Sequence, residues 1–72
     1  MVLVHQDRDS YVVYSRDSIL MVAPVVHNGA YYGHNLLCDE VMLGTYDDYT
    51  HALREMEAVR ECKDSVYCVS VA

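Results

Sequence analysis

The chain has 72 residues with three cysteines, and eleven acidic against five basic side chains give it a formal net charge of −6. A single domain of this length buries only about 60% of its unfolded surface, so its core is marginal unless disulfides, a metal or self-association supplements it. Five basic side chains are too few to neutralise a duplex phosphate backbone, which excludes general duplex DNA binding.

MVLV at the N-terminus reads as a short apolar strand, broken by the polar HQDRDS. That charged stretch arrives before any apolar signal-peptide region forms, so a cytoplasmic protein is expected. YVVYS at 11–15 and SILMVAPVV at 18–26 are rich in Val, Ile and Tyr and read as two strands or one bent strand. The longest apolar run, the eight residues ILMVAPVV, is far short of the roughly 20 that a membrane helix needs.

Asn28-Gly29 is the strongest turn signal in the chain. Both residues accept positive φ, as the two-residue type I′ turn requires. The turn pairs residues whose numbers sum to 57, such as Val25 with Tyr32, Ala23 with His34 and Met21 with Leu36. Both faces of this hairpin carry apolar residues, so its own helix is expected to cover one and another subunit the other. Pro24 cannot donate to a ladder and marks an edge or a bulge.

Asp39-Glu40 is poor type I′ chemistry and predicts a looser loop before the strand VMLGTY, in which Gly44 marks a bulge or a close approach. DDYTHALREMEAVRECK places Tyr49, Ala52, Leu53, Met56 and Val59 at helical spacing. A helix over about 48–63 follows, with Asp47 as N-cap. VYCVSV closes the chain as a strand, with Val66, Cys68 and Ser70 on one face and Tyr67, Val69 and Val71 on the other. The pattern defines one α+β domain over 1–72: a small antiparallel sheet of about four to five strands, the helix on one face, and a C-terminal strand.

The acid excess is uneven. Residues 1–38 carry Asp7, Asp9 and Asp17 against Arg8 and Arg16, a net of −1; residues 39–72 carry eight acids against Arg54, Arg60 and Lys63, a net of −5. Cys38, Cys62 and Cys68 make an odd count without C-x-x-C spacing, so neither a disulfide framework nor a zinc knuckle is indicated, and reduced core cysteines are expected. A single pairing of Cys62 with Cys68 is the alternative. His27 and His34 are seven positions apart and lie four apart along one hairpin face, too far to share a metal without a third ligand. No nucleophile motif such as G-x-S-x-G and no phosphate-binding glycine spacing is present, so neither an enzyme nor a cofactor is expected.

Seven tyrosines with no Phe and no Trp are the one unusual usage. A tyrosine joins a rigid apolar body to a hydroxyl, which suits a half-buried sheet, a protein interface or stacking on a base. MVLVHQD at the N-terminus and LGTYDDYTHALREM at 43–56 resemble a group of small proteins encoded in Firmicutes genomes and their phages. Those proteins open on a strand ending in Gln-Asp or Gln-Asn and later show Leu-Gly-x-Tyr-Asp before a helix, a pattern that falls here on Leu43, Gly44, Tyr46, Asp47 and Ala52. The match covers about 20 of the 72 residues, and Thr50 stands where those proteins often carry Glu. The resemblance implies an α+β fold and a phage or mobile-element setting, and brings no activity or site residues with it.

Two functions follow as expectations. The first is a non-enzymatic interaction protein, a homo-oligomer that binds or inhibits a host protein through an acidic helix face (Glu57, Glu61) or the tyrosine-rich sheet. The second is a small-ligand protein that binds or sequesters a nucleotide at a subunit interface built from Tyr31, Tyr32 and His34, with Arg8 or Arg16 meeting the phosphate.

Overall fold

A computed structural model describes residues 1–69. The elements run β1 (Val2–His5), β2 (Tyr11–Tyr14), β3 (Leu20–His27), β4 (Ala30–Cys38), β5 (Val41–Tyr46), α1 (Tyr49–Arg60) and β6 (Val66–Cys68). The α+β class is as expected, but the strands divide into two three-stranded sheets, β2-β1-β6 and β3-β4-β5. Residues 11–26 form two strands, because the Ser15–Ser18 turn separates them: the Ser15 amide donates to Ser18 Oγ (3.0 Å) and the Ser18 amide to the Ser15 carbonyl (3.1 Å). β6 then returns beside β1 in parallel, while β2 pairs with β1 antiparallel. Ser70 and Val71 of the expected last strand lie outside the described residues.

The segment HQDRDS closes on itself. Asp7 Oδ1 accepts from the amides of Asp9 (2.8 Å) and Ser10 (2.9 Å), and the Gln6 side chain donates across to the Met42 carbonyl at the start of β5. The Gln-Asp pair therefore has a structural role, as a turn with a clamp between the two sheets.

Asn28 (φ 52°) and Gly29 (φ 77°) form the expected two-residue turn, with His27 opposite Ala30 and Val26 opposite Tyr31. The register then slips by one: Pro24 faces His34, Val22 faces Leu36 and Met21 faces Leu37. The extra β4 residue is accommodated at Tyr32-Gly33, where Gly33 takes φ 112°. Pro24 thus stands beside a bulge on an edge strand, both places where a missing amide is tolerated. His34 also leaves the row that holds His27.

The loop expected at Asp39-Glu40 is instead a tight two-residue turn, with Cys38 opposite Val41 and positive φ at both Asp39 (49°) and Glu40 (72°). Ile19 holds it there. Its amide donates to Asp39 Oδ1 and its carbonyl accepts from the Asp39 amide, both at 2.9 Å. This two-point bond to β3 overrides the local turn preference.

The helix is shorter than its apolar periodicity suggests. Asp48, not Asp47, is the N-cap: its backbone is extended, and its carboxylate accepts from the His51 amide (2.7 Å). The last turn closes at Glu61, whose amide bonds the Glu57 carbonyl, so Cys62 and Lys63 lie beyond it. Ala52 and Val59 are buried as expected, while Tyr49 is exposed and Glu55 is buried in its place.

The helix packs on the inner face of β3-β4-β5. Val2 and Val4 from β1 join Leu36, Cys38, Leu43, Tyr46, Ala52 and Val59 in one core, which both sheets and the helix share.

Candidate functional site

Because β-strand side chains alternate, burying Val2 and Val4 turns the next residues outward. The outer face of β2-β1-β6 is two rows: Val13, Leu3 and Val66, then Tyr11, His5 and Cys68. Tyr11 (56%), Val66 (46%) and Val13 (40%) are all substantially exposed. The His5 and Tyr11 rings stand 5.5 Å apart. No Asp, Glu, Lys or Arg occupies any of the six positions.

The outer face of β3-β4-β5 repeats the theme across Met21, Leu37 and Met42, which oppose one another in register. The next row is Ala23, Asn35 and Thr45, where the Thr45 hydroxyl donates to Asn35 Oδ1 (2.6 Å). At the end of this face a cleft of about 370 Å³ is lined by Ile19, Met21, Asp39 and Glu40.

At the opposite end, the hairpin and the start of the helix gather rings. The Tyr31 hydroxyl sits against the imidazole of His34, 2.6 Å from Nδ1, and that imidazole also meets Tyr49 at 5.3 Å between centroids. The Tyr46 and His51 rings meet at 4.8 Å between centroids, tilted by 55°. Tyr31 and Tyr32 are both exposed; Tyr31 contacts His34, whereas the Tyr32 ring faces His27 at 6.5 Å between centroids.

Among the described residues, neither Arg8 nor Arg16 joins them within one chain. Arg8 follows Gln6, which is clamped to Met42 at the far end of the sheet, and Arg16 lies in the Ser15–Ser18 turn before β3, also at the far end. Glu57 and Glu61 are exposed, yet Arg54 and Arg60 alternate with them on the same helix face. The acid concentrates in the turns instead, at Asp7, Asp9, Asp17, Asp39 and Glu40 among others.

Two features escape a reading of sequence pattern. Glu55 is 7% exposed and accepts a 2.7 Å hydrogen bond from the Tyr67 hydroxyl, joining α1 to β6 through the core. Tyr46 is 2% exposed, and its hydroxyl is buried without a hydrogen-bond partner. Burial first, then the nearby charge of Glu55, pushes the Tyr46 pKa up to about 12. Burial and then the bond to Glu55 push Tyr67 up as well. All three cysteines are free; burial and then Asp39 raise the pKa of Cys38, opposed by the Ser18 hydroxyl, whereas Cys68 is exposed.

Among the described residues no group of three or more His, Cys, Asp or Glu is placed to hold a metal ion, and no helix is long and apolar enough to cross a membrane. The fold defines the chain as a small α+β domain of two three-stranded sheets around one helix. Comparison with family models, curated proteins and solved structures gives no match.

Proposed function

We propose that the chain is a non-catalytic interaction protein that works as a homo-oligomer, self-associating through the outer face of β2-β1-β6 and binding a further protein partner. The observation that carries this reading is the absence of charge at Leu3, His5, Tyr11, Val13, Val66 and Cys68 in a chain whose net charge is −6. Two copies with that charge repel, so they meet most readily where neither presents an ionised group.

On the resemblance carried by Leu43, Gly44, Tyr46, Asp47 and Ala52, the setting is a phage or mobile element and the further partner a host protein.

Native mass measurement with Val13→Asp as the variant tests the proposal. The wild type is expected to run as a dimer or larger and the variant as a monomer with unchanged circular dichroism. A monomeric wild type refutes self-association.

A further inference from the structure

We infer that the cleft between Ile19, Met21 and the Asp39-Glu40 turn receives a lysine or arginine side chain from the protein partner. The inference rests on the reading of the chain as an interaction protein, but uses a surface on the other sheet from the one proposed for self-association. The cleft holds about 370 Å³ and has two kinds of wall. Ile19 (70% exposed) and Met21 (47%) supply its apolar floor, and the acidic residues Asp39 and Glu40 line the rest.

A long basic side chain matches both. Its methylene stem lies along apolar surface while its charged head keeps polar company. One oxygen of Asp39 already accepts from the Ile19 amide, which fixes Asp39 relative to the floor. The other Asp39 oxygen and the Glu40 carboxylate remain to meet an ammonium or a guanidinium, the latter able to engage carboxylate oxygens in a bidentate pair.

Charge decides among occupants. A second copy would bring its own −6 and its own Asp39 and Glu40 to this cleft, and a nucleic acid would bring phosphates. Both are repelled. The floor continues along Met21 to Leu37 and Met42, so the partner segment carries apolar residues beside its basic one.

The test is an NMR titration of the full chain with N-acetyl-arginine amide and N-acetyl-lysine amide, using N-acetyl-norleucine amide as the neutral control. The basic probes are expected to shift the Ile19 and Met21 methyls and the Asp39 and Glu40 amides. Raising salt from 50 to 500 mM should weaken the effect several-fold, and Glu40→Gln should weaken it about three-fold or more. Norleucine amide should leave these signals in place. Absence of shifts at tens of millimolar probe overturns the inference, as do equal shifts with norleucine amide or shifts confined to other surfaces. Oligomeric mass is read on the same samples: a monomer whose cleft binds the probes refutes self-association alone, and an oligomer whose cleft ignores them refutes the cleft alone.

Discussion

The hydroxyl of Tyr67 donates a 2.7 Å hydrogen bond to Oε1 of Glu55, tying the last strand to the helix through the interior. Glu55 is nearly fully buried, and among the described residues β6 pairs in parallel with β1 over three residues. A hydrogen bond to a charged acceptor is worth about 1.5–3 kcal/mol. Tyr67→Phe is therefore expected to destabilise the fold by about 1.5–3 kcal/mol in urea unfolding, with early loss of protection at the β6 amides.

The neighbouring tyrosine should respond in the opposite sense. The Tyr46 hydroxyl is buried without a partner, and an unsatisfied buried polar group costs about 1–3 kcal/mol. Tyr46→Phe is expected to leave stability unchanged or raise it by about 1 kcal/mol.

The same residue contributes to the alkaline limit. An unfolded tyrosine ionises near pH 10, whereas Tyr46 in the fold is held to about 12. Its contribution is fully present below about pH 10 and is lost as pH rises through about 12. A urea series from pH 9 to 12 should show this fall, and it should be shallower in Tyr46→Phe. The residual slope belongs to Tyr67 and Cys38, whose pKa values are raised in the same direction.

Two glycines make room for Tyr46. Gly33 takes φ 112°, and a Cβ there would run into the Tyr46 carbonyl; a Cβ on Gly44 would come within 2.9 Å of the Tyr46 hydroxyl. Gly33→Ala meets backbone and has no relief, so a loss of about 2 kcal/mol or more is expected. Gly44→Ala meets only a hydroxyl, and its smaller loss should shrink in a Tyr46→Phe background, a coupling that a double-mutant cycle reads directly.

These contacts mark how much the sequence announced. Asn28-Gly29, the helix, Pro24 at an edge beside a bulge and the α+β class follow from local chemistry and are all present. The Leu43-Gly44-x-Tyr46 pattern proves to be packing: a buried Leu43, a Gly44 that admits a hydroxyl, and a core Tyr46. What stayed hidden depends on long-range partners. The Asp39-Glu40 turn is fixed by Ile19, twenty residues earlier, and the division into two sheets by the return of β6 to β1. The charge-free outer face emerges only when three strands from both ends of the chain align. The Tyr31–His34 contact lies between residues close in sequence, but no local pattern tells that Arg8 and Arg16 lie at the other end.

The Asp39-Glu40 turn couples stability to the proposed cleft. A non-glycine residue at φ 72° carries backbone strain. Glu40→Gly is expected to stabilise the fold by about 0.5–1 kcal/mol in urea unfolding. The same change removes a carboxylate from the cleft, so binding of N-acetyl-arginine amide should weaken while the fold gains. A stabilised variant with undiminished probe binding would detach Glu40 from the site.

Self-association through the outer face of β2-β1-β6 is tested most directly by sedimentation equilibrium from 10 to 500 μM, on the wild type and on Val13→Asp and Tyr11→Lys. The expected result is a wild-type mass of two or more chains and monomers for both variants, with circular dichroism unchanged. A wild type that stays monomeric at 500 μM, or folded variants that keep the wild-type mass, would contradict the account.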